Sequence, residues 1–179
     1  MIRSLEEARE TVRQKRQELQ RRVRETCIIT VLLGAGGKGL DNRRKIKEKL
    51  EREGVLALIP EDDFAPDVAP SITEEAVLEK SDVDVIFINV ESWGSVTEFG
   101  QFHDKERIAP KLRVFVPYEY HPLYGTSTGY LTDLYLTHVV KYGHVYAHDD
   151  SERTIFPCSE KIIIKLALRH KMLVALGKI

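Results

Sequence analysis

The sequence has little cysteine. Cys27 and Cys158 are the two in 179 residues, far apart and without metal-type spacing. A disulfide framework is therefore excluded, and a reducing cytoplasm is the expected compartment. Cys27 opens the apolar run CIITVLL and reads as a small core residue, whereas Cys158 sits near a helix start. Charge of one sign is also missing. The formal net charge of −1 offers no global field for nucleic acid or an anionic membrane. The basic stretch RQKRQELQRR is interrupted by acids and reads as a solvated helix face, so neither nucleic acid nor membrane is an expected partner. No apolar stretch reaches the ~20 residues that span a bilayer, and the first 25 residues lack the apolar core of a signal peptide. None of the six histidines falls in an H-x-x-H or H-E-x-x-H pattern, so no metal site and no zinc hydrolase is expected. G-x-S-x-G is absent, and with it the nucleophile elbow of a serine hydrolase.

What is present alternates. Residues 1–25 form a charged N-terminal helix, with Ser4 and Glu7 in capping-box spacing and a thin apolar stripe of Leu5, Ala8, Val12, Leu19 and Val23. Such a helix packs along a domain edge or pairs with a partner chain. Residues 26–179 form one α/β domain. Its strands are CIITVLL, VLALIP, VDVIFINV, LRVFVP and HVYAH. Its helices are NRRKIKEKLEREG, SITEEAVLEKS, TEFGQFHDKER, STGYLTDLYLTHVVKYG and CSEKIIIKLALRHKMLVAL. Gly54 is the expected cap of the first of these, and Ser71 with Glu74 the capping box of the second. EDDFAPDVAPS and YEYHPLYGTSTG read as loops. Apolar strands alternating with helices predict a parallel sheet with right-handed crossovers. The expected architecture is a three-layer, flavodoxin-like Rossmannoid domain of about five parallel strands in the order 2-1-3-4-5.

In such a sheet a ligand binds beyond the carboxyl ends of the strands, where the order switches. The loops after strands one and three flank that crevice, and both are rich in glycine. GAGGKGLDNR offers Gly34, Gly36, Gly37 and Gly39 for close backbone approach, with Lys38, Arg43 and Arg44 adding positive charge near a helix start. A phosphate or ribose phosphate suits it. It is not a P-loop, and its G-x-G-x-x-G match is a weak sign of a dinucleotide fold. A plain strand-to-helix turn is the other reading. In ESWGSVTEFG, Ser92, Gly94 and Ser95 form a turn of small donors, and Glu98 falls in the first turn of the next helix. There the helix dipole is expected to hold it ionised, fit to act as a nucleophile or to stabilise an oxocarbenium-like cation. A helix-start acid serving the dipole alone has the same spacing.

Other candidates carry two readings each. Trp93 stacks on a base or lids the core. Glu61, Asp62 and Asp63 hold a sugar hydroxyl or a cation, or form a solvated acidic loop. Tyr118, Tyr120 and Tyr124 wall a base pocket or pack. His103, five after Glu98, reaches the crevice rim or lies on the surface.

The stretch SDVDVIFINVESWGSVTEFGQF resembles the motif of nucleoside 2-deoxyribosyltransferases and their TIR-like and SLOG-like relatives. In that group a strand led by Ser-Asp enters a D-x-G-T-x-x-E-x-G turn. Ser81, Asp82, Gly94, Glu98 and Gly100 match it, with Ser95 at the usual Thr and Ser92 at the usual Asp. Residues 28–63 also look like the group's first strand, phosphate-side loop, helix and second strand, so the likeness covers residues 28–117. It implies a flavodoxin-like Rossmannoid fold, with Glu98 as the catalytic carboxylate at C1 of a nucleoside or nucleotide sugar. It implies binding of base and phosphates by the first loop and by residues 61–64. No cofactor is expected.

Three functions remain. The first is an N-glycosidase or (deoxy)ribosyltransferase acting on a nucleoside, nucleotide or NAD-like molecule. The second is a non-catalytic nucleotide-sensing or interaction module, self-associating through its terminal helices as a homo-oligomer. A purely structural interaction domain is a third.

Overall fold

The computed structural model describes residues 4–64 and 69–179. Five parallel strands form one sheet in the order β2-β1-β3-β4-β5, as the alternation predicts. They are β1 (Ile28–Leu33), β2 (Val55–Leu58), β3 (Val85–Asn89), β4 (Leu112–Pro117) and β5 (Val145–His148). The switch falls at β1, which pairs with β2 through Ile28↔Val55 and with β3 through Thr30↔Val85.

The helices are α1 (Leu5–Glu25), α2 (Lys38–Arg52), α3 (Pro60–Asp63), α4 (Pro70–Lys80), α5 (Trp93–Phe102), α6 (Tyr130–Tyr142) and α7 (Ser159–Ala175). The period-two alternation of β1 divides the core. Val31 and Leu33 join Leu78 of α4, Phe99 and Phe102 of α5 and Tyr135 of α6 on one face. Ile28 and Leu32 join Ile46 and Leu50 of α2 and Ile163 and Ala167 of α7 on the other. Burial on both faces explains why β1 and β3 are apolar almost throughout. The apolar strand β2 departs from the expected two-sided burial, because it is an edge strand and leaves Leu56 exposed.

Local chemistry sets the helix ends. Ser4 and Glu7 make the expected capping box on α1. Gly54 follows α2 with a positive φ of 72°, and the buried Lys171 ammonium reaches over to the carbonyls of Glu53 and Gly54, a cation at a helix C-terminus. The expected capping box at Ser71 does not form. The chain turns through Ala69 at φ 42°, Pro70 opens α4, and Glu74 faces inward instead. Cys27 is exposed rather than in the core, because β1 is buried only from Ile28 onward. Of the EDDFAPDVAPS segment, residues 61–63 belong to α3, and residues 65–68 lie outside the described residues. Among the described residues no helix is long and apolar enough to cross a membrane.

Candidate functional site

The loop after β1 is where the glycines gather, and its backbone explains them. Gly34 has φ 152°, with Asn89 O only 3.3 Å from where a Cβ would stand, and Gly37 caps α2 at φ 55°. The helix starts at Lys38, earlier than its amphipathic run predicts, so Arg43 lies within it and points back under the loop. Its guanidinium donates to Leu32 O at 3.1 Å, Gly34 O at 3.2 Å and Ala35 O at 2.8 Å. It also grips the Glu61 carboxylate through two bonds of 2.9 and 2.7 Å. Arg43 is therefore not the phosphate-facing cation that its position suggests. It is 6 % exposed, and its charge is neutralised by Glu61 while it holds the loop shut. Next to it, Arg44 pairs with Asp62 at 2.6 Å. The space left under the loop, between Gly34, Asn89 and Glu91, is about 30 Å³. That admits a water, not a nucleotide.

The turn after β3 is equally self-contained. Ser92 and Ser95 form a capping box, and the buried Ser95 hydroxyl accepts from the amides of Glu91 and Ser92 at 3.0 and 2.9 Å. The hydroxyls expected to face a ligand are thus engaged in starting α5. Gly94 is exposed beside them, and Trp93 is 89 % exposed, which rules out the lid reading.

Glu98 behaves differently. It lies in the second turn of α5, beyond the first-turn position that the spacing suggests, and its pKa is not lowered. Burial pushes it up to about 8, assisted by the charges of Glu74 and Glu61 and opposed by Arg43. Glu74 reaches the same place from α4, raised to about 7 by burial and by Glu61. Among the described residues, Glu98 Oε2 and Glu74 Oε1 are both buried without a hydrogen-bond partner. Both line a cavity of about 170 Å³ with Glu61, Phe64, Thr73 and Pro70. Of the acids, Glu61, Glu74 and Glu98 converge; Asp62 and Asp63 are held outward by Arg44 and Lys47.

Sequence reasoning missed Glu74, having assigned it to a cap. Its position four residues before the buried Leu78 carries the signal, since the two share a helix face. A second cluster was also missed. Glu91, His148 and Asp150 meet beyond β3 and β5, beside a cavity of about 310 Å³ that Tyr118 lines. Tyr118 stacks on Phe156 with centroids 5.4 Å apart, so it packs as well as lines the cavity, and Tyr124 packs on the buried His121 at 4.7 Å. His103 is half-buried and packs on Phe99 at 5.5 Å.

Fold and site together define a flavodoxin-like α/β domain with an unpaired carboxyl couple beside its switch point. A protein-family model described as STM3845 retron effector protein matches residues 41–127, just under half of the chain. The matched segment contains Arg43, Glu61, Glu74 and Glu98 but stops short of His148. No curated protein matches the sequence.

Proposed function

We propose that the chain cleaves the N-glycosidic bond of a nucleoside, nucleotide or NAD-like molecule, with Glu98 as its catalytic carboxyl and Glu74 as the partner. One observation carries this: two carboxyls from different helices meet in one cavity, each with a buried oxygen that nothing among the described residues satisfies. Buried polar groups are normally paired, and unpaired ones with shifted pKa values concentrate where chemistry is done.

The division of labour follows from the pKa values. Between pH 7 and 8 the couple shares about one proton, which this reading assigns to Glu98. Protonated Glu98 donates to the leaving nitrogen of the base as the C1–N bond breaks and its electron pair departs with the base. Ionised Glu74 faces the oxocarbenium-like cation and takes a proton from the water that attacks C1. A cavity of about 170 Å³ suits a sugar ring, not a whole nucleotide, so base and phosphate extend outward. The exposed Gly36 and Gly37 at the start of α2 are the backbone available to a phosphate there, with Arg43 and Glu61 keeping the loop in shape. Trp93, at the head of α5, is available to stack on a base.

The resemblance to nucleoside 2-deoxyribosyltransferases supports a catalytic carboxyl at Glu98, and the similarity to a retron effector family supports an effector role. The test is incubation with a panel of nucleosides, nucleotides and NAD, followed by chromatography for free base. Base release that disappears in Glu98→Gln supports the reading. Thermal stabilisation by a nucleotide without base release from any member would replace it with the sensing module.

A further inference from the structure

The geometry points to a metal site apart from Glu98: we propose that Glu91, His148 and Asp150 bind one divalent cation of the Zn²⁺ or Mn²⁺ type. His148 ends β5 and is 2 % exposed, yet among the described residues neither ring nitrogen has a hydrogen-bond partner. Nε2 faces a Glu91 carboxylate oxygen at 3.6 Å, and Nδ1 faces an Asp150 oxygen at 3.3 Å. A ring nitrogen that carries no proton turns its lone pair toward the carboxylate it faces, and a cation between the two satisfies both. One donor atom from each of the three residues lies within 4.8 Å of the others. Bonds of ~2.0–2.2 Å to such a cation draw them together with small side-chain movements.

The surroundings suit a metal. Asp150 is anchored by the Ser159 amide at 2.6 Å and the Ser159 hydroxyl at 2.9 Å, which fixes its orientation. One nitrogen and two carboxylates, without sulfur, fit Zn²⁺ or Mn²⁺ better than Cu⁺. The adjoining cavity of about 310 Å³ leaves room for water or a ligand oxygen to complete the shell, and it shares no lining residue with the Glu98 cavity. The residues come from the ends of two strands far apart in the chain, so no local spacing announces them.

The test uses the full chain after dialysis against EDTA, titrated with Mn²⁺ and followed by electron paramagnetic resonance and by melting temperature. Saturable binding of one ion per chain, with a rise in Tm, is the expected result. Glu91→Gln changes an exposed carboxyl, so the fold is retained, and it should weaken binding by about tenfold or more. Absence of saturable binding, or equal binding by Glu91→Gln, overturns the proposal and leaves the cluster as an ion pair or the ion as adventitious.

A separate observation concerns α1. No residue of this 21-residue helix is buried, and Leu5 and Val12 are 70 % and 69 % exposed. An isolated helix gains too little from propensity alone, and amphipathic helices are stabilised by what covers the apolar stripe. Where α1 meets α7, Val12, Leu19 and Val23 with Met172 and Leu176 line an apolar groove. Leu5, Val12 and Leu19 recur every seven residues, the spacing of a helix-pairing seam. The first turn carries Glu6 and Glu7, the last Arg22 and Arg24. We infer that α1 of a second copy fills this groove in antiparallel orientation, which sets each acidic end against a basic one.

Light scattering after size exclusion should give a dimer at micromolar concentration. Val12→Glu with Leu19→Glu should give a monomer whose sheet domain melts unchanged. Glu6→Arg, which leaves the Ser4–Glu7 cap intact, should weaken the dimer, and adding Arg24→Glu should restore it. A wild-type monomer, or a dimer indifferent to Val12 and Leu19, overturns this assignment; failed restoration overturns the antiparallel orientation.

Discussion

Glu61 and Glu98 stand at the same edge of the sheet and have opposite fates. Glu61 lies against a guanidinium that bonds it twice and also ties down three loop carbonyls. Glu98 lies one helix away with a buried oxygen that has no donor among the described residues and an acid for a neighbour. The first arrangement spends its polarity on holding the glycine loop. The second keeps its polarity unspent, which is what a reacting group requires. Arg43 joins the two, since its charge lowers the pKa of Glu74 and Glu98 while Glu61 raises both.

Removing the unpaired acid should produce the largest change. Glu98→Gln is expected to cut base release by roughly 10²–10⁴-fold, the usual weight of a general acid, with no loss of Tm at neutral pH. A variant that keeps full turnover would make Glu98 structural and erase the contrast.

Removing the paired cation should act on stability instead. Arg43→Met leaves Glu61 and three carbonyls without their donor, and a loss of roughly 2–5 kcal/mol in urea unfolding is expected. A neutral outcome would show that the loop holds itself.

The two acids also predict a pH dependence. Both have folded-state pKa values above the ordinary 4.5, so between pH 4.5 and about 8 the folded chain holds protons that the unfolded chain has released. Stability from this source is full below pH 4.5 and is lost as pH rises through 7 and 8. Glu98→Gln should therefore be the more stable protein at pH 9, by on the order of a few kcal/mol. Turnover should rise as Glu74 ionises near 7 and fall as Glu98 ionises near 8, giving a narrow bell. A profile that is flat across this range would separate the activity from the couple.

The smallest effect belongs to Trp93. Trp93→Ala should leave stability within about 0.5 kcal/mol, because the ring is exposed. If the ring stacks on a base, KM rises while kcat holds; an unchanged KM would remove Trp93 from the site.

The strand runs and the helix ends at Ser4 and Gly54 were legible in the sequence, each being a matter of neighbours within a few residues. Glu98 was legible as a position but misread as a chemical species. Its second-turn location weakens the dipole, and burial against α4 raises the pKa that the dipole was expected to lower. Arg43 was misread for the same reason: its partner Glu61 arrives from beyond β2. Glu91, His148 and Asp150 were invisible as a group because they come from the ends of β3 and β5, separated by the whole of α5, β4 and α6.

The amino-acid order alone determined the parallel sheet and its switch at β1, since side-chain periodicity and crossover handedness act locally along the chain. The tertiary structure alone decided which acids are satisfied, which are bare, and which of the two glycine loops has room beside it. Solvation and charge are fields set by whatever the fold brings near, and those neighbours are distant in sequence.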